Sequence, residues 1–206
     1  MSDGRLITIE GIDGAGKTTL ARSLRDALSE REIDVRMLRE PGGVRAAELI
    51  RELVKDPELE IGARAEALLY AAARAQLVEQ AVRPLLELGA WILLDRFVDS
   101  SLAYQGAGRE LGIEAVRAIN EFATNGLRPD RTLLLAIEPV LGRSRSTQRA
   151  DPLDRLEREQ AAFFARTASA YLELWAADVD RIRRIDASQP PDQVLAAALG
   201  AIADLL

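Results

Sequence analysis

The chain has 206 residues, enough to bury one full core, and its 48% hydrophobic and 29% charged residues are those of an ordinary globular domain. A net charge of -6 disfavours nucleic-acid backbone as a main partner. The absence of cysteine and histidine removes disulfides, thiolate chemistry, Cys/His zinc sites and a histidine general base. Any chemistry must then come from carboxylates, hydroxyls, arginines, the only two lysines (Lys17 and Lys55) and a hard metal ion that prefers oxygen.

Met1-Ser2-Asp3-Gly4 is polar and lacks the pattern of a secretion signal, and no apolar run approaches the ~20 residues that span a bilayer. A cytoplasmic protein with no membrane partner is expected. Leu6–Glu10 reads as a short buried strand and Thr19–Leu28 as an amphipathic helix. Between them, Gly11-Ile12-Asp13-Gly14-Ala15-Gly16-Lys17-Thr18 fits G-x-x-x-x-G-K-[ST], a loop whose backbone N–H groups cradle phosphates at a helix N-terminus. The motif makes Gly11 to Thr19 a nucleotide-phosphate site, with Lys17 on the β- and γ-phosphates and Thr18 on Mg²⁺.

Asp34–Arg39 reads as a second strand, stopped by the turn Arg39-Glu40-Pro41-Gly42-Gly43. A helix follows to about Val54, then a loop at Lys55-Asp56-Pro57-Glu58. From Arg64 to about Leu88, Leu68, Ala71, Ala75, Val78, Val82 and Leu85 recur at helical spacing, and Pro84 bends or divides the helix. Ala90–Leu94 is an apolar run expected to be a central parallel strand, ending in Asp95-Arg96. Asp99–Gly112 reads as a short helix and a glycine-rich loop, Ile113–Ala123 as a helix and Thr132–Ile137 as a buried strand. Pro139 opens a helix running into an arginine-rich segment that ends near Pro152. Leu153–Ala177 reads as one long helix, Arg181–Ile185 as the last strand and Pro191–Leu206 as the last helix.

Alternating strands and helices predict a single α/β domain over residues 1–206: a five-stranded parallel sheet with helices on both faces, in three layers. Ligands in such folds sit at the carboxyl ends of strands. The phosphate loop, Arg39-Glu40, Asp95-Arg96 and the region after Pro139 all lie there. Asp95 is placed to support Mg²⁺ beside Thr18, the alternatives being a helix cap or an ion pair with Arg96. Arg96 is placed to grip a second phosphate, the alternative being a surface ion pair. Tyr70 and Arg74, four apart on one helix face, suit a planar heterocycle, although alone they are better described as a core-edge tyrosine and a solvated arginine. Arg143, Arg145, Arg149 and Arg155 make a solvated charge run or, above a nucleotide crevice, a mobile lid over about residues 143–154.

These features together resemble the thymidylate kinases of bacteria, a family of nucleoside monophosphate kinases with the P-loop fold. The resemblance rests on Glu10–Thr19, Arg39–Gly43, Glu66–Arg74, Asp95-Arg96-Phe97, Asp99–Gly106, Asn120–Ala123, Arg128-Pro129-Asp130 and Asp154–Glu157, in that order along nearly the whole chain. It implies transfer of a phosphoryl group from ATP to dTMP with Mg²⁺, in a homodimer. It further implies thymine stacking on Tyr70 and bonding to Arg74, with Ser101 and Gln105 near the base. Tyr104 would crowd the sugar 2′ position, and Arg96 would hold the dTMP phosphate. Glu40, Pro41 and Arg51 would shape the acceptor site. Asp13 would approach the acceptor's sugar or a phosphate-bound Mg²⁺, joining Thr18 and Asp95 as a metal residue. The family divides into members with a catalytic arginine in the P-loop and members with basic lid residues. Asp13 in the loop and the arginine-rich lid resemble the second kind, with Arg149 the catalytic lid residue and Arg145 next, the latter also on ATP. A different small P-loop kinase is the nearest rival. A GTPase-like switch is a remote one, since no N-K-x-D guanine signature occurs.

Overall fold

The computed structural model describes residues 4–147, 155, 156 and 158–206. Five strands, β1 (Arg5–Glu10), β2 (Val35–Arg39), β3 (Trp91–Asp95), β4 (Arg131–Ala136) and β5 (Ile182–Asp186), form one parallel sheet in the order β2-β3-β1-β4-β5. The expected α/β class and five-stranded parallel sheet are therefore present. β1 lies at the centre, with β3 and β4 as its neighbours; Ile9 pairs with Asp95 and Glu10 with Leu134. The chain leaves β1 toward one sheet edge and later returns to the other, so a crevice opens at the carboxyl end of β1.

Side-chain alternation along the strands sets two packed faces. Ile7, Ile9, Leu93, Leu133 and Leu135 point to one face. There they meet Leu20, Leu24 and Leu28 of α1 (Lys17–Ser29). Val194 and Ala198 of α9 (Pro191–Ala201) complete that layer. Leu6, Ile92 and Leu94 point the other way. That layer holds Leu77 of α3 (Ala63–Leu77) and, through Leu134, Phe163 and Tyr171 of α8 (Ala161–Ala177). Glu10 shares the parity of Leu6 and Thr8, so it enters the layer of α8 rather than water.

Several boundaries differ from expectation for identifiable reasons. The helix expected over 64–88 is α3, a π-helical turn at Val78–Val82 and then α4 (Arg83–Glu87). Arg83 N–H bonds the Val78 carbonyl five residues back. Widening the helix just before Pro84 accommodates a residue that lacks an N–H and crowds the preceding turn. Ala71, Val78 and Val82 of the expected apolar stripe are buried, but Leu68 is 56% exposed, whereas Glu66, Arg74 and Leu77 are buried. Buried polar residues with partners occupy part of the inward face, and hydropathy alone cannot register them. The glycine-rich loop expected after Asp99 is mostly helical, α5 (Val98–Ser101) continuing as a π-helix over Leu102–Gly108. The helix expected from Leu153 begins at Ala161; Arg155, Leu156, Arg158 and Glu159 lie in turns or bends before it. The last helix stops at Ala201, and a short 3₁₀ turn covers Ala203–Leu205. The remaining helices are α2 (Arg45–Lys55), α6 (Ile113–Thr124) and α7 (Pro139–Thr147). Among the described residues, no helix is long and apolar enough to cross a membrane.

Candidate active site

The phosphate loop joins β1 to α1 as its sequence requires. Gly16 caps α1 at φ 93, where a side chain would be strained, and α1 begins without a side-chain cap or an acidic first turn. Its first N–H groups are thus left to an anion. Gly14 permits close packing instead. A Cβ there would lie 2.0 Å from the Gly142 carbonyl oxygen, so loop and α7 touch backbone to backbone. Lys17 curls back onto the loop, its Nζ donating to the Gly11 and Ile12 carbonyls at 3.1 and 2.9 Å. Burial and the neighbouring Arg96 push its ammonium down to about 8. The Thr18 hydroxyl donates to Asp95 Oδ2 at 3.0 Å, so these two oxygen groups of β3 and α1 converge. Among the described residues no cluster of three or more acidic side chains is built to cage a metal. A hydroxyl beside one carboxylate suits Mg²⁺, which keeps most of its shell as water and phosphate oxygen.

The loop, the strand ends and α3 enclose a cavity of about 220 Å³. It is lined by Asp13, Lys17, Thr18, Asp95 and Arg96 from the loop and β3, by Tyr70, Arg74, Ser101 and Gln105 from α3 and the segment after β3, and by Glu40, Pro41, Arg51, Lys55 and Tyr104. Sites spread over more than 90 residues of sequence are thereby brought to one crevice. Leu156 adds a wall that sequence reasoning did not anticipate.

Arg96 follows the last residue of β3 with φ 71, so the chain turns sharply and Asp95 and Arg96 face different partners. Its Nη2 donates to Asp13 Oδ1 at 2.6 Å and to the Tyr104 hydroxyl at 3.2 Å. Its Nη1 reaches the Gly11 carbonyl and Ser100 Oγ, both at 3.1 Å. Asp13 Oδ2 accepts from the Tyr104 hydroxyl at 3.1 Å. Burial would raise the Asp13 carboxyl, but Arg96 and Lys17 outweigh it and hold the group well below the usual carboxylate range. Asp13 therefore stands with Arg96 and Tyr104, both its oxygens engaged there, while Thr18 and Asp95 form the separate oxygen pair.

Arg74 is 2% exposed and directs all its N–H donors to the protein. Nε donates to Glu40 Oε2 at 2.7 Å, Nη1 to Ser101 Oγ at 2.9 Å and to Asn120 Oδ1, and Nη2 to the Phe97 carbonyl at 2.9 Å. Nη2 also pairs with Glu40 Oε2 at 2.5 Å. The solvated alternative for Arg74 is thereby overturned. Burial pushes the Glu40 carboxyl up, with Arg74 opposing, and Glu40 Oε1 is buried without a hydrogen-bond partner among the described residues. Gln105 Nε2 donates to Glu66 Oε1 at 2.9 Å. The fully buried Glu66 carboxylate also receives Arg109 and, at 2.5 Å, Arg155 Nη2. Arg155 Nε reaches the Val54 carbonyl at 3.0 Å, so this arginine of the expected charge run crosses to α2 and α3.

Of the lid residues, Arg149 and most of the 143–154 segment lie outside the described residues. Arg145 donates to the Ala187 carbonyl at 3.0 Å and does not line the cavity. Sequence reasoning gave no role to Glu10, Glu66, Asn120 or Tyr171. The one signal for Glu10 was an acid closing an otherwise apolar strand, the same signal that singled out Asp95.

A family model described as thymidylate kinase matches residues 9–198. The thymidylate kinase of Halorhodospira halophila is 43% identical over 205 residues, covering 98% of this chain and 95% of that protein. That of Oenococcus oeni is 47% identical over 214 residues, covering 100% and 98%. That of Deinococcus radiodurans is 44% identical over 204 residues, covering 99% and 98%.

Proposed function

Because this chain belongs to the thymidylate kinase family, we propose that it transfers the γ-phosphoryl group of ATP to dTMP, giving ADP and dTDP, at the crevice beyond β1. The reading is supported by one cavity that gathers the phosphate loop, Thr18 and Asp95, Arg96, and the Tyr70, Arg74, Ser101 and Gln105 group. Gly11 to Thr19 hold the ATP phosphates, Lys17 exchanging its two loop carbonyls for phosphate oxygens. Thr18 and Asp95 would hold Mg²⁺, which would neutralise charge on the phosphoryl group in transit. Arg96, already steered by Asp13 and Tyr104, holds the acceptor phosphate opposite. An acceptor phosphate is ionised near neutral pH, so the reaction needs positioning and charge neutralisation rather than a strong base. The absence of histidine is then no obstacle.

At the nucleoside end Tyr70 stacks on thymine, with Ser101 and Gln105 at its edge. Arg74 chiefly holds that end in shape, and a base carbonyl would share one of its filled donors. Glu40 Oε1 wants a donor, which a nucleoside hydroxyl or N–H supplies. Pro41 and Arg51, joined by a 2.9 Å bond from Arg51 Nη1 to the Pro41 carbonyl, shape the mouth. Arg145, tied beside the end of β5, would serve the donor nucleotide, and Arg149 is assigned, on the family resemblance, as the cation reaching the transferring group. Exposed Leu49, Leu53, Leu68 and Phe122 on the adjoining helices α2, α3 and α6 support a homodimer, and the acidic, cysteine-free chain suits the cytoplasm.

A coupled assay of ADP release across dTMP, dUMP, UMP, CMP and thymidine tests the reading. Preference for dTMP is expected. Faster turnover of CMP or of thymidine would overturn it in favour of another P-loop kinase.

A further inference from the structure

We propose that Glu10 is a positioning residue for Arg96, acting through the hydroxyls of Ser100 and Tyr171, and thereby sets the grip on the acceptor phosphate. The proposal rests on the reading of Arg96 as the acceptor-phosphate hook.

Glu10 is the last residue of the central strand, is 0% exposed and has both oxygens committed. Oε1 accepts from the Phe97 N–H at 2.7 Å, the first backbone donor after the left-handed Arg96. Oε2 accepts from the Ser100 hydroxyl at 2.5 Å and from the Tyr171 hydroxyl at 3.0 Å. Those same two oxygens face Arg96 Nη1, at 3.1 and 3.5 Å. A hydroxyl has one hydrogen. An ionised Glu10 can only accept, so it draws those hydrogens to itself and turns the oxygen lone pairs toward the guanidinium. One carboxylate thus fixes both the backbone at Arg96 and the rear of its side chain, while Nη2 stays on the cavity side with Asp13 and Tyr104.

The charges around Glu10 come from every packed element. Asp99 of α5 faces it, with Arg181 at 2.6 Å behind Asp99; Lys17 lies on the loop side and Tyr171 on α8; β4 presents apolar Leu134. Burial, reinforced by Asp99, pushes the Glu10 carboxyl up from 4.5 to about 7, against the pull of Ser100 and Arg96. Protonation would add a donor to a cluster that needs an acceptor. A neutral Glu10 would donate into the Ser100–Tyr171 pair, whose oxygens lie 2.8 Å apart, and the negative charge behind Arg96 would be lost, so the hook would loosen.

The test is equilibrium binding of dTMP and of thymidine, which lacks the phosphate, to the full-length protein and its variants at pH 6 and pH 8. Gln is isosteric with Glu but presents N–H where the carboxylate presents a lone pair. Glu10→Gln is expected to lower the dTMP-to-thymidine affinity ratio about tenfold at pH 8, the size of one charge-assisted hydrogen bond, and less at pH 6, with thymidine affinity unchanged. The phosphate's own second ionisation, near pH 6, acts on wild type and variant alike and cancels in the comparison. Tyr171→Phe, which keeps the carboxylate, is expected to lower the ratio about threefold; it decides the matter should Glu10→Gln fail to fold. An unchanged ratio at pH 8, or equal loss of both ligands, overturns the proposal. Arg96→Ala is the separate control: if it spares the ratio, the hook reading fails, and if it collapses the ratio while Glu10→Gln does not, only the role of Glu10 fails.

Discussion

Arg74 and Arg96 line the same cavity, and both carry cation–π contacts, Arg74 over Phe97 at 5.4 Å and Arg96 over Tyr104 at 4.9 Å. They differ in what surrounds their donors. Arg74 is closed off: Glu40, Ser101, Asn120 and the Phe97 carbonyl tie α3, α5, α6 and the β2 turn to one guanidinium. Arg96 is poised: its rear is held by Ser100 and the loop, and its front meets a partly exposed aspartate at the cavity. An arginine whose partners are all internal builds a wall. An arginine pre-aimed at an exchangeable carboxylate is ready to receive another anion. Residue type is the same for both, and the partner set separates them.

Removing each arginine should therefore break different things. Arg74→Ala is expected to cost about 3–5 kcal/mol of stability, because it leaves Glu40 as an uncompensated buried carboxylate. Chemical denaturation would read this, and an unchanged midpoint would erase the contrast. Arg96→Ala is expected to shift that midpoint less, since Asp13 is partly exposed and keeps Lys17 nearby, while kcat/KM for dTMP falls about a hundredfold to a thousandfold, as for loss of a bidentate phosphate contact. A large loss of stability with it would make Arg96 a wall as well. The smallest effect concerns the donor side. Lys17 is pushed down to about 8, so the free enzyme loses its cation as pH rises through that value. kcat/KM for ATP is expected to fall severalfold between about pH 7.5 and 9, since that parameter reports the free enzyme. A flat profile would mean that the ammonium is held charged more firmly than its burial allows.

The parts of the fold carried by local chemistry were readable from the chain. Glycines at Gly11, Gly14 and Gly16, the apolar runs of β3 and β4 and the acid Asp95 that ends β3 each announce a conformation or a place on their own. The boundaries that moved were set by non-local terms. The glycine-rich stretch after Asp99 coils into a π-helix because Leu102, Ala103 and Tyr104 are buried there, Tyr104 against Phe163 and Tyr171 of α8, which lies some 60 residues further on. In the same way Glu66 and Arg74 read as solvent-facing by hydropathy, and their burial depends on Arg109, Arg155, Glu40 and Asn120 arriving from elsewhere. Burying a charge is costly unless its partner is in place, and a single sequence does not say which partners meet. The site was readable to the extent that its groups carry motif spacing; Glu10 and Glu66 act through contacts that no spacing encodes.

The lysines of the chain are as informative as its missing histidines. Lys17 and Lys55 are the only two, and both border the crevice. An amine-directed reagent applied to the whole protein therefore has the amino terminus and these two positions to label, and nothing on the rest of the surface. With its ammonium lowered to about 8, Lys17 offers a larger share of free amine at mildly alkaline pH than an ordinary lysine does. Peptide mass mapping after a short labelling pulse would then serve as an occupancy gauge, the nucleotide shielding Lys17 in proportion to how full the loop is.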